Sequence, residues 1–221
     1  EGGCLEKEIT FNIQPENATT FSWDFTDGNV EQTTALEIKH HFTEPGIYKP
    51  RLLLKDDAGC KGSAFLDHPV VIDQLDIQLN PSPAKICDAG TLTFAPVFNS
   101  YSVDELGMEA AYTWTYDPSL TPEGINTTTP VFHLDQTGEY KFGITATTKY
   151  GCVQTVEVPV NVYPKPLAAI SAPDQACQDV PVSFSGSVTK TSDVTWNWDF
   201  GNNETSAAQQ PAGVSYAQPG P

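Results

Sequence analysis

Phe21-Ser22-Trp23-Asp24-Phe25, Tyr112-Thr113-Trp114-Thr115-Tyr116 and Trp196-Asn197-Trp198-Asp199-Phe200 are three copies of one pattern, an aromatic at every second position with a polar residue between. The copies recur about every 90 residues. A period of two is that of a half-buried β-strand, so each copy sends three aromatics into one core and its polar residues to solvent. Self-similarity at this spacing decides the domain organisation before any other signal.

The rest of each unit keeps register with its tryptophan. Ahead of it stand Cys4 with Ile9-Thr10-Phe11, Cys87 with Leu92-Thr93-Phe94, and Cys177 with Val182-Ser183-Phe184. Each is a cysteine followed at one fixed spacing by an apolar alternation that reads as a further strand. Behind it, Gly46-Ile47-Tyr48 and Gly138-Glu139-Tyr140 open another alternating strand, and a Gly-Cys pair closes each of these two units, at Gly59-Cys60 and Gly151-Cys152. The third unit reaches Pro219-Gly220-Pro221, short of that point. Three units are therefore expected, at 1–73 with its first strand missing, 74–163, and 164–221 with its last strands missing. Leu75-Asp76-Ile77, the strand before Cys87, has no counterpart ahead of Cys4.

Five cysteines fit the same register. One disulfide per unit is expected, Cys4 with Cys60 and Cys87 with Cys152, leaving Cys177 to a partner beyond Pro221. Closing loops of roughly 55 to 65 residues would stabilise each unit by about 4 kcal/mol in the chain-entropy account. It would also place the protein in an oxidising, extracytoplasmic setting. Eighteen prolines and sixteen glycines are spread as turn punctuation, and no amphipathic helix of useful length is present. The fold class expected is all-β. No apolar run approaches the roughly 20 residues of a membrane-spanning helix. A formal charge of −17, from 28 acidic and 11 basic residues, argues against nucleic acid and anionic lipid surfaces as partners.

Trp23-Asp24-Phe25-Thr26-Asp27-Gly28, then His40-His41-Phe42-Thr43-Glu44-Pro45-Gly46-Ile47-Tyr48, resembles the polycystic kidney disease (PKD) domain, whose hallmark is W-D-F-G-D-G followed by H-T-Y-x-x-P-G-x-Y. The first unit departs from it at Thr26, where the family has glycine. Pro50 falls inside the strand begun by Tyr48 and implies an edge or a bulge there. The second unit is more divergent, with Trp114-Thr115-Tyr116-Asp117-Pro118, and the third restores Trp198-Asp199-Phe200-Gly201. The resemblance implies immunoglobulin-like β-sandwiches of about seven strands, arranged end to end. The cysteine-bearing variety resembles the tandem PKD arrays of large surface proteins in Bacteroidetes, including gliding-type adhesins and other cargo of the type IX secretion system. The short Asp73-Gln74 connection and the prolines of Tyr163-Pro164-Lys165-Pro166 read as stiff linkers, which would make a rod of about 100 Å.

Four histidines are present, without a nucleophile motif, an H-E-x-x-H pattern or a phosphate loop, so catalysis is not expected and His40 reads as the family's structural histidine. Asp24, Asp27 and Asp199 cluster at the turn after the aromatic strand and are the candidate calcium ligands, against the alternative that they cap their own turns. No other cofactor is expected. All four tryptophans lie in the inward triplets, leaving only scattered tyrosines for a sugar. The glycosylation-type sequons at Asn17, Asn126 and Asn203 are near chance frequency. The interval from Phe94 to Trp114 is longer than its counterparts because of a loop over 99–109, a candidate protein-recognition segment.

These readings converge on a non-catalytic spacer array in a large, secreted cell-surface protein of the adhesin or gliding-associated kind. Its partners would be the other domains of the same chain and protein or glycan ligands at the cell surface, without direct membrane insertion. The alternative is an accessory, carbohydrate-binding region of a secreted hydrolase.

Overall fold

The structure is a computed structural model that describes residues 1–5, 7–14, 20–189 and 194–218. Asn17 and the Pro219-Gly220-Pro221 segment lie outside the described residues. The chain divides into two compact units, Glu1–Asn161 and Val162–Pro221. The first unit holds two copies of the repeat and the second holds the third copy.

In the first repeat, the strands are β1 (Gly2–Cys4), β2 (Ile9–Asn12), β3 (Thr20–Asp24), β4 (Val30–Thr33), β5 (Glu37–His40), β6 (Gly46–Tyr48), β7 (Arg51–Lys55), β8 (Lys61–Phe65) and β9 (Val70–Asp73). β2 pairs with β5, facing a four-stranded sheet in the order β4-β3-β7-β8, and a third group runs β1-β9-β6. The two sheets bury Phe11, Phe21, Trp23, Phe25, Phe42 and Ile72 between them. The aromatic triplet is the centre of this sandwich, with Phe21, Trp23 and Phe25 exposed by only 1%, 3% and 0%. Phe25 lies flat on the His40 ring at 3.7 Å and within 5.4 Å of Phe11, and Tyr48 closes the stack against Phe42.

Pro50 explains a break that a continuous strand would not show. β6 pairs with β9, whereas β7 pairs with β3 and β8. The strand thus changes sheet across Lys49-Pro50, where the proline's missing N–H leaves no ladder bond to lose. The closing segment is likewise divided, between β8 and β9.

The second repeat contains β10 (Leu75–Gln78), β11 (Pro81–Ser82), β12 (Ile86–Cys87), β13 (Gly90–Phe94), β14 (Val97–Ser100), a one-turn helix α1 (Tyr101–Asp104), β15 (Ala111–Thr115), β16 (Val131–Leu134), β17 (Gly138–Thr147) and β18 (Val153–Tyr163). One sheet runs β11-β13-β16, the other β12-β18-β17-β15, and β10 pairs with β14. Trp114 is buried and Tyr112 and Tyr116 are half-buried, with Phe94, Phe132 and Phe142 filling the centre. Tyr140 is half-buried beside Phe142.

In the second unit, β19 (Ala168–Ser171) pairs with β20 (Ser185–Val188), β21 (Trp198–Asp199) pairs with β22 (Thr205–Ser206), and Val182 bridges Val214. Trp196, Trp198 and Phe200 stack in a row beside Phe184. The indole N–H of Trp198 donates to the Ala208 carbonyl at 2.8 Å, as that of Trp114 does to Thr127 at 3.2 Å. The protein is thus nearly all-β, built from immunoglobulin-like sandwich repeats.

Because Phe25 touches both sheets and has no exposed surface, Phe25→Ala should destabilise the first repeat by about 3–5 kcal/mol. Urea unfolding of the oxidised chain reads this directly, and a loss below about 1 kcal/mol would contradict a core centred on the triplet.

Candidate functional site

The features that distinguish this chain from a string of independent sandwiches meet where the first repeat joins the second. β9 passes into β10 through the single residue Gln74. Val70, Val71, Ile72 and Asp73 are all buried, an apolar run that ends on a carboxylate with no exposed surface. A buried carboxylate is costly unless its oxygens are hydrogen-bonded. Here Asp73 Oδ2 accepts the Ser102 hydroxyl at 2.6 Å, and Oδ1 accepts the backbone N–H groups of Ser102 at 3.1 Å and Gln74 at 3.0 Å.

Ser102 reaches Asp73 because α1 forms at the start of the 99–109 loop. Ser100 caps that turn, accepting the Val103 N–H, while its own N–H donates to Asp104 Oδ2 at 3.0 Å, and Ser102 is 1% exposed. The segment that sequence singled out for protein recognition begins as a bracket between repeats. The Asp73 carbonyl accepts the Leu5 N–H at 2.8 Å, which fixes the chain just after β1 to the same point.

The disulfide at this junction corrects the expected pairing. Cys4 is bonded to Cys152, with their Cα atoms 5.3 Å apart and a sequence separation of 148, while Cys60, Cys87 and Cys177 are exposed and unpaired. The expected Cys4–Cys60 bond is absent for a reason of register, and the expected Cys87–Cys152 bond because Cys152 is taken by Cys4. β1 pairs in parallel with β9, setting Cys4 opposite Asp73. Cys60 precedes β8, beside the β7–β8 pairing that begins at Lys55 with Lys61, whereas Cys4 lies beside the β6–β9 pairing that ends at Gly46 with Ile72. Gly46 and Lys55 are nine positions apart along largely extended chain, about 30 Å at roughly 3.3 Å per residue, far outside the range a disulfide spans. Cys152 sits in the turn between β17 and β18, and this turn rests on the base of the first repeat. Gly2 must be glycine there, since a Cβ would overlap the Tyr150 ring and the Val71 carbonyl.

The aspartates proposed for calcium are engaged elsewhere. Asp24 accepts the Thr26 N–H at 3.1 Å and pairs with Arg51 at 2.8 Å, and Asp199 accepts the Gly201 N–H at 3.0 Å. Asp27 accepts the Asn29 N–H at 2.9 Å, and its Oδ2 lies 2.7 Å from His40 Nε2, while the Nδ1 of His40 faces Glu31 at 3.1 Å. Among the described residues no group of three or more His, Cys, Asp or Glu side chains converges on a point where a metal ion would sit. These aspartates cap their own turns, and Asp27 also pairs with the buried His40. His41, His68 and His133 are exposed. Thr26 and Gly201 both have positive φ, 62° and 75°, at the same point of the motif. The threonine differs from glycine there in having a hydroxyl, which accepts the Lys49 N–H at the sheet change.

Burial alone would raise the Asp27 carboxyl, but the hydrogen bonds from His40 and Asn29 outweigh it and hold the group below the ordinary aspartate range. A carboxyl depressed in the folded state stabilises above its unfolded pKa, and that contribution is lost as pH falls through the folded value. The urea midpoint of the first repeat should therefore drop as pH falls below about 4, and Asp27→Asn should lower stability at pH 7 while flattening that drop. An unchanged acid limb in the variant would show that Asp27 is not responsible. At the junction, Ser102→Ala leaves the Asp73 carboxylate buried without its shortest bond and should cost about 2–3 kcal/mol, whereas Ser63→Ala on exposed β8 should shift stability by less than about 0.5 kcal/mol.

Residues 2–70, the first repeat, match the model of the PKD domain family. No curated protein matches the chain. Among solved structures, the N-terminal eight Ig domains of Down syndrome cell adhesion molecule share 11% identity, with 86% of this chain and 26% of that chain covered and a TM-score of 0.48. The amphioxus IgVJ-C2 molecule shares 15%, covering 73% of this chain and all of that one, with a TM-score of 0.35. The fibronectin(III)-like modules of Clostridium thermocellum CbhA share 10%, covering 74% and 90%, with a TM-score of 0.33.

Proposed function

We propose that the chain is a non-catalytic spacer, a segment of stalk in a large extracellular, cell-surface protein that holds another domain away from its anchor. The observation that carries this reading is the junction between the first two repeats. A one-residue connection, a fully buried carboxylate bracket and a disulfide all act on the same point, and each suppresses bending where tandem domains ordinarily hinge. A disulfide also fits an oxidising, extracytoplasmic location. The sequence resemblance to PKD arrays supports a gliding-type adhesin exported by the type IX system as the parent protein. The histidine with the most polar contacts, His40, is buried and engaged by two carboxylates, which supports the non-catalytic reading.

The bridge has a mechanical consequence. Tension applied at the chain ends passes from Cys4 to Cys152 directly, so the residues between them are shielded from it. Pulling the oxidised chain in an optical or atomic-force instrument should release only the residues outside that loop. A reductant should add a contour length of about 500 Å, the 148-residue separation at roughly 3.5 Å per residue. The same contour length with and without reductant would overturn the mechanical reading. Antibody labelling of intact cells checks the location, and labelling only after lysis would exclude the surface.

A further inference from the structure

We propose that the Cys4–Cys152 bond is one instance of a repeating link, in which the opening cysteine of each repeat is bonded to the Gly-Cys turn of the repeat that follows it. Cys60, Cys87 and Cys177 are then half-links whose partners lie outside residues 1–221. The proposal rests on the tandem-array reading above and adds a pairing rule to it.

Two observations define the two classes of half-link. Cys4 ends β1, which pairs with the closing strand β9, and Cys87 ends β12, which pairs with the closing strand β18. Cys177 holds the same place in the third sequence register. The other class shares a turn bond for bond. Asp56 N–H donates to the Cys60 carbonyl and Gly59 N–H to that of Asp56, as Thr148 N–H donates to Cys152 and Gly151 N–H to Thr148. The Cys60 N–H meets the Asp56 carboxylate where the Cys152 N–H meets the Thr148 hydroxyl. Both turns place glycine at positive φ, 86° and 80°.

The geometry of the first repeat keeps its two classes apart, because Cys60 stands ahead of β8 and Cys4 beside the far end of β9. Cys60 lies at the end remote from the second repeat, exposed, as a half-link to a preceding repeat requires. Cys87 is exposed although Cys152 belongs to its own repeat, since Cys152 is bonded to the repeat before it. In the third register, the Gly-Cys position falls 14 residues after Gly220, by the spacing of Gly46 to Cys60 and of Gly138 to Cys152. Under the rule that cysteine joins Cys87, and Cys177 takes the turn of the repeat after it. Each link forms when two thiols lose two protons and two electrons to a low-molecular-weight or protein disulfide, which is reduced to two thiols by exchange.

Non-reducing peptide mapping of the native full-length protein tests the rule. The expected result is Cys87 joined to the Gly-Cys that follows Gly220, and Cys60 joined to the opening cysteine of the repeat before Glu1. Cys87 free, or joined to any cysteine of its own repeat, in a chain that does hold further repeats would overturn the rule and leave the array reading standing. A native chain without further repeats would overturn both. In the 221-residue chain, thiol titration gives a second readout. Three thiols are expected in the wild type, and Cys4→Ser should raise the count to four, with Cys152 left unpaired. A count of two in that variant, with Cys87 bonded to Cys152, would overturn the rule.

Discussion

Three residue pairs of parallel strand, Gly2 to Cys4 against Val71 to Asp73, govern the architecture of the first unit. Parallel pairing carries the opening strand down to the last residue of the closing one, and therefore to the join with the next repeat. An antiparallel partner would have pointed the same cysteine back along the sandwich. Everything particular to the junction follows from that choice of direction: Leu5 bonded to the Asp73 carbonyl, Gly2 beneath the Tyr150 ring, and Cys4 within reach of Cys152. The buried Asp73 carboxylate then binds the junction from the other side through Ser102, so the two repeats are held by charge-assisted hydrogen bonds as well as a covalent bond.

The polar cluster at the motif turn serves the core. His40 stacks on Phe25 with a hydrogen-bonded edge, and Asp27 supplies that bond from the turn that follows the aromatic strand. An Asp and a His far apart in the motif are thus one buried pair that ties the turn to the opposite sheet. This gives a physical reason for the two residues to occur together.

The aromatic strands, the sandwich class and an irregularity at Pro50 were legible in sequence because each depends on local alternation or on the chemistry of one residue; that the irregularity is a change of sheet was not. The disulfide was not. A repeat with one cysteine of each class has the same spacing whether a cysteine pairs within its own copy or with the next, so periodicity cannot distinguish the two. The distinction depends on whether β1 runs parallel or antiparallel to β9, a long-range register that no local pattern encodes. The bracket left a weaker signal that could have been read: Val70-Val71-Ile72-Asp73 places an aspartate at the end of a continuous apolar run, where a carboxylate needs donors from elsewhere. The 99–109 insertion was visible as extra length, and Ser100, Ser102 and Asp104 within it have the composition of a capped turn.

Links between successive repeats differ mechanically from staples inside them. Staples shorten what each domain can release when it unfolds, yet leave every join between domains as free as its linker. With the pairing rule proposed here, each bond begins before the previous bond has ended, since Cys60 lies between Cys4 and Cys87. The covalent loops therefore overlap along the chain. Under tension a fully linked array can pass from one bond to the next through the segments between a Gly-Cys turn and the following opening cysteine, such as Cys60 to Cys87 or Cys152 to Cys177. These segments hold between 25 and 27 residues of travel, about 90 Å when extended. An array built this way resists extension by its covalent connectivity even where a sandwich has opened. The acidic surface and the aromatic cores then have only to keep each repeat soluble and folded.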